Sequence, residues 1–392
     1  MEQIIVGWAI AFFITFYSIP VIIEIAAEKK LYDIPDERKI HKQPIASLGG
    51  IGMFAGLIVA FLLTLTFTTN QYGFQYYLLA AIIIFFLGVK DDILVISAHK
   101  KFIGQLMAAA ILVFKGQLLI SNMQGFLGIY QLDVSIARLL TLFTIVVTVN
   151  AFNLLDGADG LAGTVGSVTT LALGVYFALN NEWPHAVLAF SLAGAIAAFL
   201  IYNFQPARIF MGDTGSMLIG LINAILVIRF IDLAPTYQHF PCTASPAVGF
   251  GILLLPLMDT LRVFSMRILK GKSPFSPDRN HLHHFLLDRG LSHRAVALIM
   301  GAGSLAFTLL SFLFVHIGTT YVIALQISTF FAVVYLLYIT KPRMIMKVIR
   351  SEDGKEAPTL VTESPKVKLI SIFTGRRSAN IGDEAKAKVE EN

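Results

Sequence analysis

The sequence predicts an all-α polytopic membrane protein of about eleven transmembrane helices, with the N-terminus outside and the C-terminus in the cytoplasm. Three observations predict it. Of the 392 residues, 56% are hydrophobic and only 14% charged, against roughly 25% charged in a soluble domain, and the mean hydropathy is +0.73. Uninterrupted apolar runs recur at lengths of about 20 residues, enough to span a bilayer core. Lysine and arginine fall in alternate loops, which orients the chain across the membrane.

The first run, "IIVGWAIAFFITFYSIPVII", exceeds a signal-peptide core in length. It has no basic stretch before it and no small-residue cleavage site after it, so it is expected to be retained as a helix. It centres on 4–23. Further runs follow at 48–69, 76–89, 102–119, 138–154, 161–179, 185–202, 214–232, 248–268, 295–316 and 320–340. The run at 76–89 is the shortest. Beyond Lys341 the chain turns polar, with "SEDGKEAPTL" and "NIGDEAKAKVEEN". The expected organisation is a membrane domain over 1–340 and a flexible cytoplasmic tail over 341–392.

Sorting the loops alternately separates the charges. One set contains "EIAAEKKLYDIPDERKIHKQPIAS", "VKDDILVISAHKK", "DGADG", "NFQPARIFMGD" and "RILKGKSPFSPDRNHLHHFLLDRGLSHR", with about fifteen Lys and Arg. The other set contains none, apart from Lys115, Arg138 and Arg229 at helix edges. The first set is therefore expected in the cytoplasm. The net charge of +5 follows from this topology and does not point to nucleic acid. The lone Cys242 excludes an internal disulfide framework and a thiolate metal cluster.

Every acidic and histidine cluster falls in the cytoplasmic set. In "KDD", the adjacent carboxylates of Asp91 and Asp92 repel unless a cation lies beside them. Such a pair suits Mg²⁺, which takes oxygen ligands, although a solvated helix end reads the same way. In "NAFNLLDGADG", Asn150, Asn153 and Asp156 recur every three residues and share a helix face; Asp159 follows. Amides and carboxylates in an apolar helix are costly in lipid, so they should face the bundle interior or a wet cleft. Asn150 also fits a purely interhelical hydrogen bond. In "NFQPARIFMGDTGS", Gly212, Asp213, Thr214, Gly215 and Ser216 open a helix whose N–H groups favour an anion; Asp213 alone would serve as an N-cap. In "SPDRNHLHH", Arg279 and the imidazoles of His281, His283 and His284 offer a phosphate or diphosphate contact. Asp33, Arg38, Lys39 and His41 in the first loop, and Lys101 after the acidic pair, read equally as topological charges. Carboxylates for a metal, with cations and a helix end for phosphates, describe a diphosphate site at a membrane surface.

The stretches "GVKDD", "NAFNLLDGADGLAG", "NFQPARIFMGDTGS" and "DRNHLHH", in this order, resemble the polyprenyl-phosphate N-acetylhexosamine-1-phosphate transferases over roughly residues 1–340. The resemblance implies an eleven-span fold, a cytoplasmic active site at the bacterial inner membrane and a Mg²⁺ requirement, with Mn²⁺ as a substitute. It makes Asp213 the Mg²⁺ ligand, Asp91 and Asp92 the catalytic pair, and Asn153, Asp156 and Asp159 a nucleotide-sugar or catalytic acidic face. It also sets Asn203 near the metal, Lys101 near the diphosphate and His281, His283 and His284 in the histidine loop.

The implied partners are undecaprenyl phosphate, a UDP-N-acetylhexosamine, the bilayer and a second copy of the chain in a homodimer. "PDRNHLHH" is similar to the N-acetylglucosamine branch; the pentapeptide-using branch, which makes lipid I, is the alternative. "PIASLGG" departs from the family at Ala46 and Ser47, where a second proline and a basic residue are common. A transporter is the rival class, but transporter sites usually lie at the midplane on broken helices within repeats, and the sequence has no repeat.

Overall fold

The structure, a computed structural model, describes residues 1–31, 45–64, 73–273 and 280–340, together with the backbone of 343–350 and 356–363. Thirteen α-helices are described. They are α1 (Glu2–Lys29), α2 (Gly49–Thr64), α3 (Phe74–Leu94), α4 (Ala98–Ala110), α5 (Val134–Leu155), α6 (Leu161–Leu179), α7 (Trp183–Asn203), α8 (Gly212–Leu233), α9 (Ser245–Ile252), α10 (Leu254–Leu269), α11 (Leu282–Leu287), α12 (His293–Leu313) and α13 (Thr319–Ile339). Two antiparallel hairpins join them: β1 (Asn122–Phe126) with β2 (Ile129–Gln131), and β3 (Arg343–Arg350) with β4 (Glu356–Glu363).

Each predicted apolar run falls on a helix or a pair of helices. Among the described residues, α1, α5, α6, α7, α8, α12 and α13 are long and apolar enough to cross a membrane. Joined across their 74° bend, α9 and α10 make an eighth. The lower count has local causes. The described part of α2 is 16 residues long, and α4 runs for 13 residues before passing into a π-turn over Ile111–Lys115. The run at 248–268 breaks at Leu253 because Pro256 has no N–H to donate back to Ile252. The proline sits instead in the first turn of α10, where that donor is not needed.

Met1–Phe331 form one compact unit and Ala332–Asn392 another. In the second unit, β3 and β4 pair without interruption from Arg343↔Glu363 to Arg350↔Glu356. This hairpin lies within residues 341–392.

In the first unit α8 is the central helix. Every residue from Thr214 to Ile231 is buried, as expected for a helix that is apolar all round. It packs against α2, α3, α5 and α6. Glycines allow the closest approaches. A methyl group on Gly220 would stand 2.7 Å from the Cα of Val149 on α5. Gly50 of α2 and Gly88 of α3 touch the backbone of Thr214 and Gly215 in the same way. The C-terminal ends of α3 and α5 and the N-terminal ends of α2, α4 and α8 are thereby gathered at one end of the bundle. Capping sets two of the neighbouring helices: the Asp133 carboxylate accepts from the Ser135 N–H at 2.8 Å to start α5, and the Ser292 hydroxyl accepts from the Ala295 N–H at 3.2 Å to start α12.

Candidate active site

Asp91 and Asp92 are neighbours in sequence with different surroundings. Gly88 and Asp92 lie one turn apart on α3 and share a face, so the close contact of Gly88 with Thr214 carries Asp92 to the start of α8. There its Oδ1 accepts from the Asp213 N–H at 2.7 Å. Its Oδ2 accepts from the Thr214 N–H at 3.0 Å and the Thr214 hydroxyl at 2.5 Å. Asp92 is an N-cap supplied by another helix, satisfying donors that α8 leaves open. Gly212, at φ +70, precedes these donors in a left-handed conformation. A Cβ there would stand 2.6 Å from Asp92 Oδ1, so the turn requires glycine.

Asp91 faces the other way. Its Oδ1 accepts from the Ile96 N–H at 2.6 Å, and its Oδ2 pairs with Lys101 Nζ at 3.1 Å. Lys101, in the first turns of α4, also pairs with Asp213 and donates to Asn153 Oδ1 at 3.1 Å. The amide of Asn153 donates to Asp213 Oδ1 at 2.7 Å and to the Ser216 hydroxyl at 3.0 Å. One ammonium group therefore lies among oxygens from α3, α5 and α8. Asn150, a turn earlier on α5, instead donates to Gln105 Oε1 at 2.7 Å and to the Val146 carbonyl at 2.8 Å, an interhelical link.

Asp156 closes α5. Burial, reinforced by the negative charges of Asp213, Asp92 and Asp159, pushes its carboxyl up to about 8. Four other carboxyls, of Asp91, Asp92, Asp159 and Asp213, crowd this end of the bundle, and among the described residues Lys101 pairs with two of them, so the site favours an added cation.

The histidine loop lies against the DGADG turn. The ring of His283 packs on Gly157: a Cβ there would stand 2.6 Å from His283 Nε2. Burial lowers the His283 imidazole to about 3, with the neighbouring His284 adding to the effect. The ring is therefore neutral and offers no positive charge to a phosphate. It stacks on His281, with centroids 5.8 Å apart, and leans on His284 at 4.2 Å. His293, at the start of α12, reaches the same turn: its Nδ1 accepts the Asp159 N–H at 3.2 Å and lies 3.3 Å from Asp159 Oδ1.

Asn203 is spent on backbone. Its Oδ1 accepts from the Gly160 N–H at 2.8 Å and its amide donates to the Ile209 carbonyl at 2.9 Å. It pins the DGADG turn to the segment that leads into α8, whereas the resemblance set it beside a metal. Arg279, Asp278, Asp33, Arg38, Lys39 and His41 lie outside the described residues.

The predicted residues Asp91, Lys101, Asn153 and Asp213 thus form one connected centre, with Asp92 behind it. Asp156, Asp159, His281, His283 and His284 form the adjoining wall. Sequence reasoning missed His293, and also Asp259 and Arg262 of α10, which hold the start of α11. Asp259 and Arg262 carried a usable signal, because an aspartate and an arginine three residues apart within "LLLPLMDTLRVF" are expensive in lipid unless paired inside the protein.

A family model described as glycosyl transferase family 4 matches residues 74–231, the segment that carries Asp91, Lys101, Asn153, Asp156 and Asp213. The decaprenyl-phosphate N-acetylglucosaminephosphotransferase of Mycolicibacterium smegmatis is 33% identical over 350 residues, covering 83% of this chain and 84% of that protein. The chain belongs to glycosyl transferase family 4. Two further relatives agree with this family 4 assignment. The enzyme of the same name from Mycobacterium tuberculosis is 34% identical, covering 80% of this chain and 83% of its own. The undecaprenyl-phosphate alpha-N-acetylglucosaminyl 1-phosphate transferase of Escherichia coli is 30% identical, covering 72% of this chain and 78% of its own.

The donor set of this family 4 site consists of hard oxygens from Asp91, Asp213 and Asn153. No group of three His, Cys, Asp or Glu among the described residues is close enough to cage a metal on its own. That combination fits Mg²⁺ better than a transition metal, since Mg²⁺ is held by one or two carboxylates and completes its shell with water and phosphate oxygens.

Proposed function

We propose that this family 4 glycosyltransferase transfers N-acetylglucosamine 1-phosphate from UDP-GlcNAc to undecaprenyl phosphate, releasing UMP. The product is a polyprenyl-diphosphate-linked sugar that starts a cell-envelope polysaccharide. The site faces the cytoplasm at the bacterial inner membrane, and the protein works as a homodimer. One observation carries the reading: Lys101 lies among the oxygens of Asp91, Asn153 and Asp213 at one end of the bundle. A soluble nucleotide and a lipid phosphate can both reach such a place. The names of the relatives favour N-acetylglucosamine over a pentapeptide-bearing sugar.

In the reaction, an oxygen of the lipid phosphate attacks the β-phosphorus of UDP-GlcNAc. The new P–O bond forms as the bond to the α-phosphate bridging oxygen breaks, and UMP leaves with that oxygen. A phosphate monoester is largely dianionic at pH 7, so little deprotonation is needed. The obstacle is bringing two anions together: unit charges about 4 Å apart repel by roughly 4 kcal/mol at an effective dielectric of 20. Lys101 offsets this repulsion directly. Asp91 orients the attacking phosphate through Lys101, with which it pairs. Asp92 acts through the start of α8, holding Asp213 in place. Asp156 and Asp159, kept in position by His293 and Asn203, form the wall against which the nucleotide sugar is held.

Asp213, Asp91 and Asn153 would hold Mg²⁺, which supplies charge neutralisation on the diphosphate oxygens; Mn²⁺ would substitute. The test is UMP release by the purified protein from UDP-GlcNAc, undecaprenyl phosphate and Mg²⁺, with product mass spectrometry. Turnover with UDP-GlcNAc over a panel of UDP-sugars supports the proposal. Absence of UMP together with lipid movement between leaflets would replace it with a transporter.

A further inference from the structure

Asp259 stands outside the acidic centre and on the far side of the histidine loop. It lies on α10, five residues past the start of that helix, and is 2% exposed. Its Oδ2 pairs with His281 Nδ1 at 2.9 Å. Its Oδ1 accepts from Arg262 Nη2 at 2.8 Å and from the Leu282 N–H at 3.1 Å. Arg262 also donates to the Asn280 carbonyl and lies over the Phe285 ring, 5.3 Å from its centroid. One carboxylate thus grips the residue before α11, the first residue of α11 and the arginine that holds both flanks.

We propose that Asp259 is a positioning residue for the transferase: it fixes the tautomer and orientation of His281 and seats α11 so that His283 closes on Gly157. The reasoning is one of donors and acceptors. Arg262 and the Leu282 N–H can only donate, so Asp259 serves them as an ionised acceptor. His281 must then present Nδ1 as N–H, which fixes how the ring is turned. The stack of His281 on His283 passes the same orientation to the ring that covers Gly157. Buried charges of this kind are retained where they set a geometry, since well-packed apolar side chains would stabilise the fold as well or better. The inference rests on the transferase reading, and its test separates the two.

The full-length protein is compared with Asp259→Asn, His281→Gln and the double variant in the UMP-release assay. The paired apolar variant Asp259→Leu with Arg262→Met is added, because it leaves no lone buried charge and keeps the fold testable. The expected result is a fall in kcat of at least about tenfold for Asp259→Asn, which corresponds to about 1.4 kcal/mol. KM for UDP-GlcNAc should stay within about threefold, the effect of lost orientation rather than lost ground-state binding. In the double variant the two losses should not multiply, because Asp259 acts through His281. A second readout needs no turnover: Gly157→Cys with His283→Cys, in a Cys242→Ser background, joined by a short bis-methanethiosulfonate reagent. Cross-linking should slow at least about tenfold when Asp259→Asn is added, the same margin as the expected kcat loss. Unchanged cross-linking, or losses that multiply in the double variant, would overturn the inference. If the wild type releases no UMP while cross-linking still depends on Asp259, the transferase reading fails and the positioning role stands.

Discussion

The two ends of α8 carry comparable polar clusters with opposite character. At its start, Asp213 and Asp91 both pair with Lys101, Asp92 accepts from the Asp213 N–H, and Asp156 lies close enough to feel the charges of Asp213 and Asp92. Near its other end, Arg229 donates to the Tyr77 hydroxyl at 2.7 Å, to Asp232 at 3.4 Å and to the Gly116 carbonyl at 3.4 Å. Close by, His185 pairs with Glu182 at 2.9 Å among Phe74, Tyr77 and Phe177. The second cluster ties α8 to its surroundings, since Arg229 reaches Tyr77 on α3 and the Gly116 carbonyl while Asp232, a turn further on, pairs with it. The first crowds carboxyls together, and that crowding helps push Asp156 up to about 8. Crowded carboxyls are a poor way to hold a fold together and a good way to recruit a cation and its phosphate, so crowding rather than polarity sets the two ends apart.

That contrast breaks most readily at Asp213. Asp213→Ala should lower kcat at least about 10³-fold, roughly 4 kcal/mol of transition-state stabilisation, while the protein still inserts and elutes as the wild type does; a rate near wild type would remove the centre from the chemistry. Asp92→Ala should cost less, about 10²-fold in kcat, because it displaces Asp213 without removing it; Asp92→Asn, which keeps an acceptor, should recover part of the loss.

At the opposite end the effects should be reversed in kind. Arg229→Met breaks a buried pairing, a change that costs about 3–5 kcal/mol in such settings, so the melting temperature should fall. Turnover per folded molecule should hold, and a kcat loss as large as that of Asp92→Ala would erase the distinction between the two clusters.

A further expected effect is on stability against pH. A carboxyl raised to about 8 in the folded protein, from roughly 3.9 when unfolded, binds its proton more tightly in the native state. The native state therefore loses stability as pH rises between those values, and the loss is complete above the higher one. Asp156→Asn should raise the melting temperature of the metal-free protein, and by more at pH 8 than at pH 5. Mg²⁺ should pull the carboxyl down, so titrating it into unbuffered wild-type protein near pH 7 should release protons, and Asp156→Asn should release fewer. An equal gain at both pH values would show that Asp156 is already ionised.

Hydropathy located the long apolar helices of the bundle, because burying or exposing to lipid an apolar run of about 20 residues leaves little other choice. The three-residue spacing of Asn150, Asn153 and Asp156 likewise showed that they share a face, and the loop sequences named Asp91, Lys101 and Asp213. What each residue does within the site depended on which neighbours the packing supplied. Asp91 and Asp92 are identical in type and adjacent, yet the approach of Gly88 to Thr214 made one a helix cap and left the other facing Lys101. Asn153 joined the centre and Asn150 a lateral hydrogen bond, although both stand on the same face of α5. Asp259 and His281, 22 residues apart, met only because the start of α11 packs against α10. Helices follow from local chemistry along the chain. The partners of a buried charge follow from long-range contacts, and only the folded bundle decides those.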